Sequence, residues 1–116
     1  MRSRSRRKTL AELQADIRRF VDAREWRRFH SPKNLSMALA VEAAELMEIF
    51  QWMTAEESRA LPPKKRSAAA DEVGDVLLLA LNLAQVLEID PAAAVSRKLR
   101  RAARKYPVHR YRGRYE

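Results

Sequence analysis

The stretch Asp71–Glu88, DEVGDVLLLALNLAQVLE, decides the fold. Its apolar residues Val73, Val76, Leu77, Leu78, Leu79, Leu81, Leu83, Val86 and Leu87 occupy more than one face at helical spacing, with no period-two alternation to suggest a strand. A helix that is apolar nearly all round has to be covered on several sides. A chain of 116 residues reads as one domain and can cover only part of it, so the stretch predicts a subunit interface as well as a core helix. Glu72, Asp75 and Asn82 share one stripe of that helix, by offsets of three and seven. A buried stripe of this polarity needs ligands or partners.

Helix signals continue on both sides. Thr9 followed by Glu12 is a capping-box pattern, after which Leu10, Leu13, Ile17, Phe20 and Val21 carry a first helix to about Arg28. Ser31-Pro32 supplies an N-cap with proline at the first helical position, and Leu35, Leu39, Leu46, Ile49 and Phe50 extend a second helix to about Trp52. Thr54 to Pro63 reads as a connector. Pro62-Pro63 stops any helix from running through it, so the third helix starts at Lys64 and ends near Glu88. Asp90-Pro91 repeats the cap signal and opens a fourth helix to about Lys105, which Tyr106-Pro107 terminates. The expected organisation is a basic N-terminal tail over residues 1–8, one all-α domain over 9–107 and an irregular tail over 108–116.

The second and third helices each carry a carboxylate pair, Glu42/Glu45 and Glu72/Asp75. Residues three apart lie on one helix face, so each pair projects two negative side chains the same way. The first pair, with Glu48, would by itself suit a solvated face with ordinary ion pairs. The second interrupts a helix with little polar surface to spare. Facing one another across a helical hairpin, the four carboxylates would repel unless hard divalent cations joined them, which points to Mg²⁺, with Mn²⁺ as the alternative. Carboxylate-bridged di-iron bundles use a Glu-x-x-His motif, and neither His30 nor His109 stands three residues after a Glu.

Charge is unevenly distributed. Residues 1–33 hold 11 Lys/Arg against 4 Asp/Glu, residues 34–96 hold 4 against 10, and residues 97–116 hold 9 against 1, giving a net +9. An acidic middle between basic ends suits a site that holds cations and a polyanion together. Two rival readings are a basic helical nucleic-acid-binding protein and a non-catalytic interaction protein. The acidic centre and the lack of a helix-turn-helix spacing count against nucleic acid. No cysteine is present, which excludes a thiolate metal site and a cysteine nucleophile and fits a cytoplasmic setting. The longest apolar stretch, Val76–Ala84, is too short to span a membrane, and the Arg-rich start lacks the apolar region of a signal peptide.

The pattern Glu42-x-x-Glu45, a gap of 26 residues, then Glu72-x-x-Asp75 resembles the signature of the MazG-like, all-α nucleoside triphosphate pyrophosphohydrolases. REWRRFHSPKNL (Arg24–Leu35), VEAAELMEIFQW (Val41–Trp52), DEVGDVL (Asp71–Leu77) and RKYPVH (Arg104–His109) resemble the branch containing the dCTP pyrophosphatases. The similarity runs from about Leu10 to Arg114. It implies a four-helix bundle assembling as an oligomer, a tetramer built from dimers before a simple dimer. It also implies Mg²⁺-dependent cleavage of a nucleoside triphosphate between the α and β phosphates. Glu42, Glu45, Glu72 and Asp75 would be the metal ligands, one of them also positioning the attacking water. Trp26, His30 and Trp52 match positions around the base and sugar, and Lys98 matches a basic position that reaches phosphate. By residue type alone the two tryptophans suit a core equally well, His30 suits a cap, and Lys98 suits a solvated face with Arg97, Arg100 and Arg101. Close relatives usually place an Asn where this chain has Ala102 and Ala103, and a Tyr where it has Leu79. Asn82 resembles the NLA stretch of MazG proper and offers a substitute polar group.

Overall fold

The structure, a computed structural model, describes residues 6–116. The described residues are helical throughout, with no strand: α1 (Leu10–Ala23), α2 (Pro32–Phe50), α3 (Ala55–Arg59), α4 (Pro63–Val86), α5 (Pro91–Lys105) and α6 (Val108–Tyr111). A single 3-10 turn, Arg27–Phe29, lies between α1 and α2. The residues 1–5 of the expected N-terminal tail lie outside the described part.

The caps do what their sequences predict. Thr9 Oγ1 accepts from the Glu12 amide at 3.1 Å while the Thr9 amide donates to Glu12 Oε1 at 3.2 Å. Ser31 Oγ accepts from the Asn34 amide at 3.1 Å and Asp90 Oδ1 from the Ala93 amide at 3.2 Å. These bonds satisfy donors that a helix start leaves without partners.

Three boundaries differ from the sequence expectation. The first helix stops at Ala23, not Arg28, because Glu25 turns left-handed at φ 52°. The Trp26 amide then bonds the Val21 carbonyl at 3.1 Å and the Glu25 amide the Asp22 carbonyl at 3.1 Å, a closing pattern usually built on glycine. Glu88, at φ 56°, ends α4 the same way. The Thr54–Pro63 connector contains α3, started by a second capping box between Thr54 and Glu57. The C-terminal tail is not wholly irregular, since Val108–Tyr111 forms one helical turn and Tyr111 packs edge-on against Tyr106 at 5.1 Å.

α2 and α4 form a tightly packed hairpin, and α1 packs more sparsely on α4. Side-chain amides tie α1 down: Gln14 Nε2 donates to the Leu81 carbonyl at 3.2 Å, and the Gln85 amide of α4 lies against Arg18 of α1. α5 leaves α4 at 103° and packs little against the rest. The four long helices therefore do not close around one core within a single chain. Only Val21, Leu35 and Leu81 are buried apolar residues among the described part. The Cα radius of gyration is 17.6 Å, against about 13 Å for a compact domain of this length. Its accessible surface of 10244 Å² likewise exceeds the roughly 6,500 Å² expected for its mass. No single helix among the described residues is long and apolar enough to cross a membrane.

Candidate metal and nucleotide site

The α2–α4 hairpin brings the two carboxylate pairs together. Oxygens of Glu42, Glu45 and Glu72 lie within 4.8 Å of one another. Asp75, one turn along α4 from Glu72, is outside that close set, although its charge acts on both Glu42 and Glu72. Glu42 and Glu72 are half-buried on the inner side; Glu45 and Asp75 are exposed.

The inner pair is electrostatically unsatisfied. Glu42 Oε2 and Glu72 Oε2 are sealed from solvent and accept no hydrogen bond. Burial, reinforced by the closeness of the Glu45, Glu72 and Asp75 carboxylates, pushes the Glu42 carboxyl up to about 7. Glu72 is raised as well, again chiefly by burial, with the charges of Glu45 and Asp75 adding to it. Desolvated carboxylates held against one another hold their protons unless a cation takes the protons' place. The donor set is all oxygen and lies on two rigid helices, so the residues fit a hard divalent metal. Glu42, Glu45 and Glu72 could hold it directly, with Asp75 beside them.

Two clefts flank the hairpin. One, of about 450 Å³, opens on the carboxylates and is lined by Glu45, Glu48, Ile49, Lys65, Ala68 and Glu72. The other, of about 400 Å³, lies between α1 and the C-terminal half of α4 and includes His30 and Asn82. Asn82 Nδ2 and His30 Nδ1 are 3.1 Å apart, a contact between residues 52 positions distant in sequence. The turn carrying His30 is closed by Asn34 Nδ2, which donates to the Phe29 carbonyl at 3.0 Å. Trp26 stands at this end, edge-on to Phe20 at 5.7 Å and to His30 at 6.3 Å.

Trp52 and Lys98 are not brought to either cleft. Trp52 lies just beyond α2 with 89% of its surface exposed, and Lys98 is exposed on α5. Sequence reasoning passed over Arg18, Arg27, Gln85 and Glu88 in the His30 cleft and Lys65 in the carboxylate cleft. Lys65 had a legible signal, since an offset of seven puts it on the Glu72 stripe. Arg18 had none, because its position depends on how α1 crosses α4.

A helical hairpin that concentrates unpaired carboxylates beside two open clefts defines a class of all-α proteins with a carboxylate cluster able to hold a metal. Comparison with known proteins makes this specific: residues 37–114 match the MazG-like family, and the chain belongs to it. It is 42% identical over 104 residues to dCTP pyrophosphatase 1 of Mus musculus, covering 84% of this chain and 61% of that protein. To dCTP pyrophosphatase 1 of Homo sapiens it is 40% identical over 100 residues, covering 81% and 59%. The chain thus spans about three-fifths of the length of these curated relatives. A crystal structure of a pyrophosphatase from Archaeoglobus fulgidus superposes with a TM-score of 0.81 at 37% identity, covering 91% of this chain and 99% of that one.

Proposed function

We propose that this protein is a Mg²⁺-dependent nucleoside triphosphate pyrophosphohydrolase that cleaves a deoxynucleotide, dCTP or a modified dCTP, to the monophosphate and pyrophosphate. The observation that carries the reading is the convergence of Glu42, Glu45 and Glu72 with two sealed, unpaired oxygens. The likeness to dCTP pyrophosphatase 1 and to a solved pyrophosphatase supports the reaction and the substrate class. Bound divalent metal would screen the carboxylates from the triphosphate and stabilise charge developing on the phosphate oxygens. The chain's own part is to hold four carboxylates on two packed helices, so that little reorganisation is needed when substrate arrives, and to orient water through one of them. His30, Asn82 and Trp26 would receive the base and sugar at the α1 end.

Assembly belongs to the same proposal. Val41, Met47, Leu77, Leu99 and Trp52 are each more than half exposed, which favours burial against other copies, as a tetramer before a dimer. Lys98 and Trp52 would then serve a site completed by a second subunit, Lys98 on the phosphates and Trp52 on the base. We place the enzyme in the cytoplasm, a setting that its lack of cysteine suits.

The test is incubation with a panel of deoxynucleoside triphosphates and Mg²⁺, with product analysis for pyrophosphate against phosphate. Monophosphate plus pyrophosphate is expected. Glu72→Gln should abolish turnover, by roughly 10²- to 10³-fold or more, with helical content unchanged by circular dichroism. Wild-type activity in that variant overturns the site, and release of single phosphate overturns the reaction.

A further inference from the structure

Apart from Lys98, the basic residues of α5 have no part in the chemistry proposed above. Arg97, Arg100, Arg101 and Arg104 follow the i, i+3, i+4, i+7 repeat and so form one stripe, about 10 Å long. Val95, Leu99 and Ala102 follow the same repeat about half a turn round the helix, so the stripe points away from the apolar side on which a second copy would dock. All four arginines are exposed, and none is in an ion pair among the described residues. Like charges one turn apart repel, and no acid within α5 relieves them. α5 also leaves α4 at 103° and packs little against the other helices, while the carboxylate pairs sit on α2 and α4. Beyond α5 the chain stays basic, with Arg110, Arg112 and Arg114 exposed and Tyr115 89% exposed.

We infer that this arginine stripe binds the sugar-phosphate backbone of a single-stranded nucleic acid without reading its sequence. The inference goes beyond the pyrophosphohydrolase reading and does not depend on it. Each arginine presents a planar fork of donors that matches phosphate oxygens, and the repeat sets forks about 6 Å apart along the helix. A strand supplies phosphates in an equally regular row, and each one neutralised releases a counterion. The lack of a helix-turn-helix spacing confines contact to the backbone, since no recognition helix is set to enter a groove. Tyr115 offers an exposed ring on which an unpaired base can stack, which favours a single strand over a duplex. An anionic membrane fits less well. A helix lying in a lipid surface buries large apolar side chains, whereas α5 offers only Val95 and Leu99 among alanines. An acidic peptide would pair with the charges and leave the tyrosine unused.

Fluorescence anisotropy of a labelled oligothymidylate, titrated with the full chain in chelator, is the test. Four phosphate contacts to a single strand predict a slope of log affinity on log salt of about −2.8, a loss of about 50-fold between about 50 and about 200 mM salt. Replacing all four arginines by glutamine, which keeps the helix propensity, should abolish that slope and leave kcat/KM for dCTP unchanged. Arg100→Gln alone should reduce the slope by about 0.7, so the prediction survives poor folding of the fourfold variant. Three results overturn the inference. A wild type without salt-dependent binding has no such surface. If deleting residues 2–8 weakens binding as much as the fourfold variant does, net charge alone is responsible. Tighter binding to phosphatidylserine vesicles or to polyglutamate than to the oligonucleotide assigns the stripe to a membrane or to an acidic protein.

Discussion

The α2–α4 hairpin and α5 start from the same local chemistry and reach different ends. α2 and α5 each begin with a side-chain cap and proline at the first helical position, and α5 is the more strongly amphipathic. Yet α2 and α4 cover one another, whereas α5 turns away and leaves Val95 59% and Leu99 65% exposed. The charges differ as well. The hairpin concentrates carboxylates, and α5 carries Arg97, Lys98, Arg100, Arg101, Arg104 and Lys105 with no acid and no ion pair among the described residues. Capping and periodicity make a helix, but only a complementary surface gives it a place. For the hairpin that surface is in the same chain; for α5 none is present among the described residues.

The strongest way to break this comparison is to attack the uncovered apolar faces. Leu77→Glu on α4 and Leu99→Glu on α5 would each bury an unpaired charge if those faces meet other subunits, at a cost of several kcal/mol per contact. Light scattering should show an oligomer for the wild type at micromolar concentration and a smaller species for each variant. A monomeric wild type would mean that these faces are uncovered in solution.

A smaller effect separates the two basic regions. Lys98→Ala should lower kcat/KM by about 10- to 150-fold, the loss of one charge-assisted contact of roughly 1.5 to 3 kcal/mol. Deleting residues 2–8 should leave kcat/KM almost unchanged. The deletion removes the Arg6–Glu12 and Lys8–Asp16 ion pairs, but pairs this exposed contribute little. A damaged truncation beside an unaffected Lys98→Ala would put the phosphate-binding charges at the other end of the chain.

The hairpin's own electrostatics can be sharpened by pH. Glu42 holds its proton up to about 7 in the folded protein, against 4.5 for an ordinary glutamate. The folded state therefore binds more protons between those values, and stability decreases as pH rises through them. Thermal melts in chelator should show Tm falling from about pH 4.5 to about pH 7, and Glu42→Gln should flatten that slope. Mg²⁺ should raise Tm most at the alkaline end, where no proton competes for the carboxylates.

The smallest effect concerns helix ends. Glu25 adopts φ 52° where glycine carries no steric penalty, so Glu25→Gly should stabilise the fold by up to about 1 kcal/mol. A Tm unchanged or lowered would show that the Glu25 side chain makes up for its backbone conformation.

How far these features were legible depended on distance along the chain. The caps at Thr9, Ser31 and Asp90 and the carboxylate pairs were readable because each involves residues three or four apart. Thr54 and Glu57 carried the same T-x-x-E signal as Thr9 and Glu12, and α3 could have been read from it. Glu25 gave no warning, because a left-handed helix end is announced by glycine and this chain uses an acid. Trp52 is a different case: the family resemblance sets it at the base, and within its own chain it stands in solvent, so its place depends on contacts beyond one chain.

By itself the sequence determined the helices, the stripes on which Glu42, Glu45, Glu72 and Asp75 lie, and the family signature, because these rest on the helical repeat and on short-range hydrogen bonds. Only the tertiary structure decided that Glu42 and Glu72 lose their solvent, that Asp75 stands outside the close oxygen set, and that Asn82 meets His30 across 52 residues. Those outcomes depend on which helix faces pack together and how much water the packing expels. Desolvation is a property of the assembled interior, and no spacing along a chain encodes it.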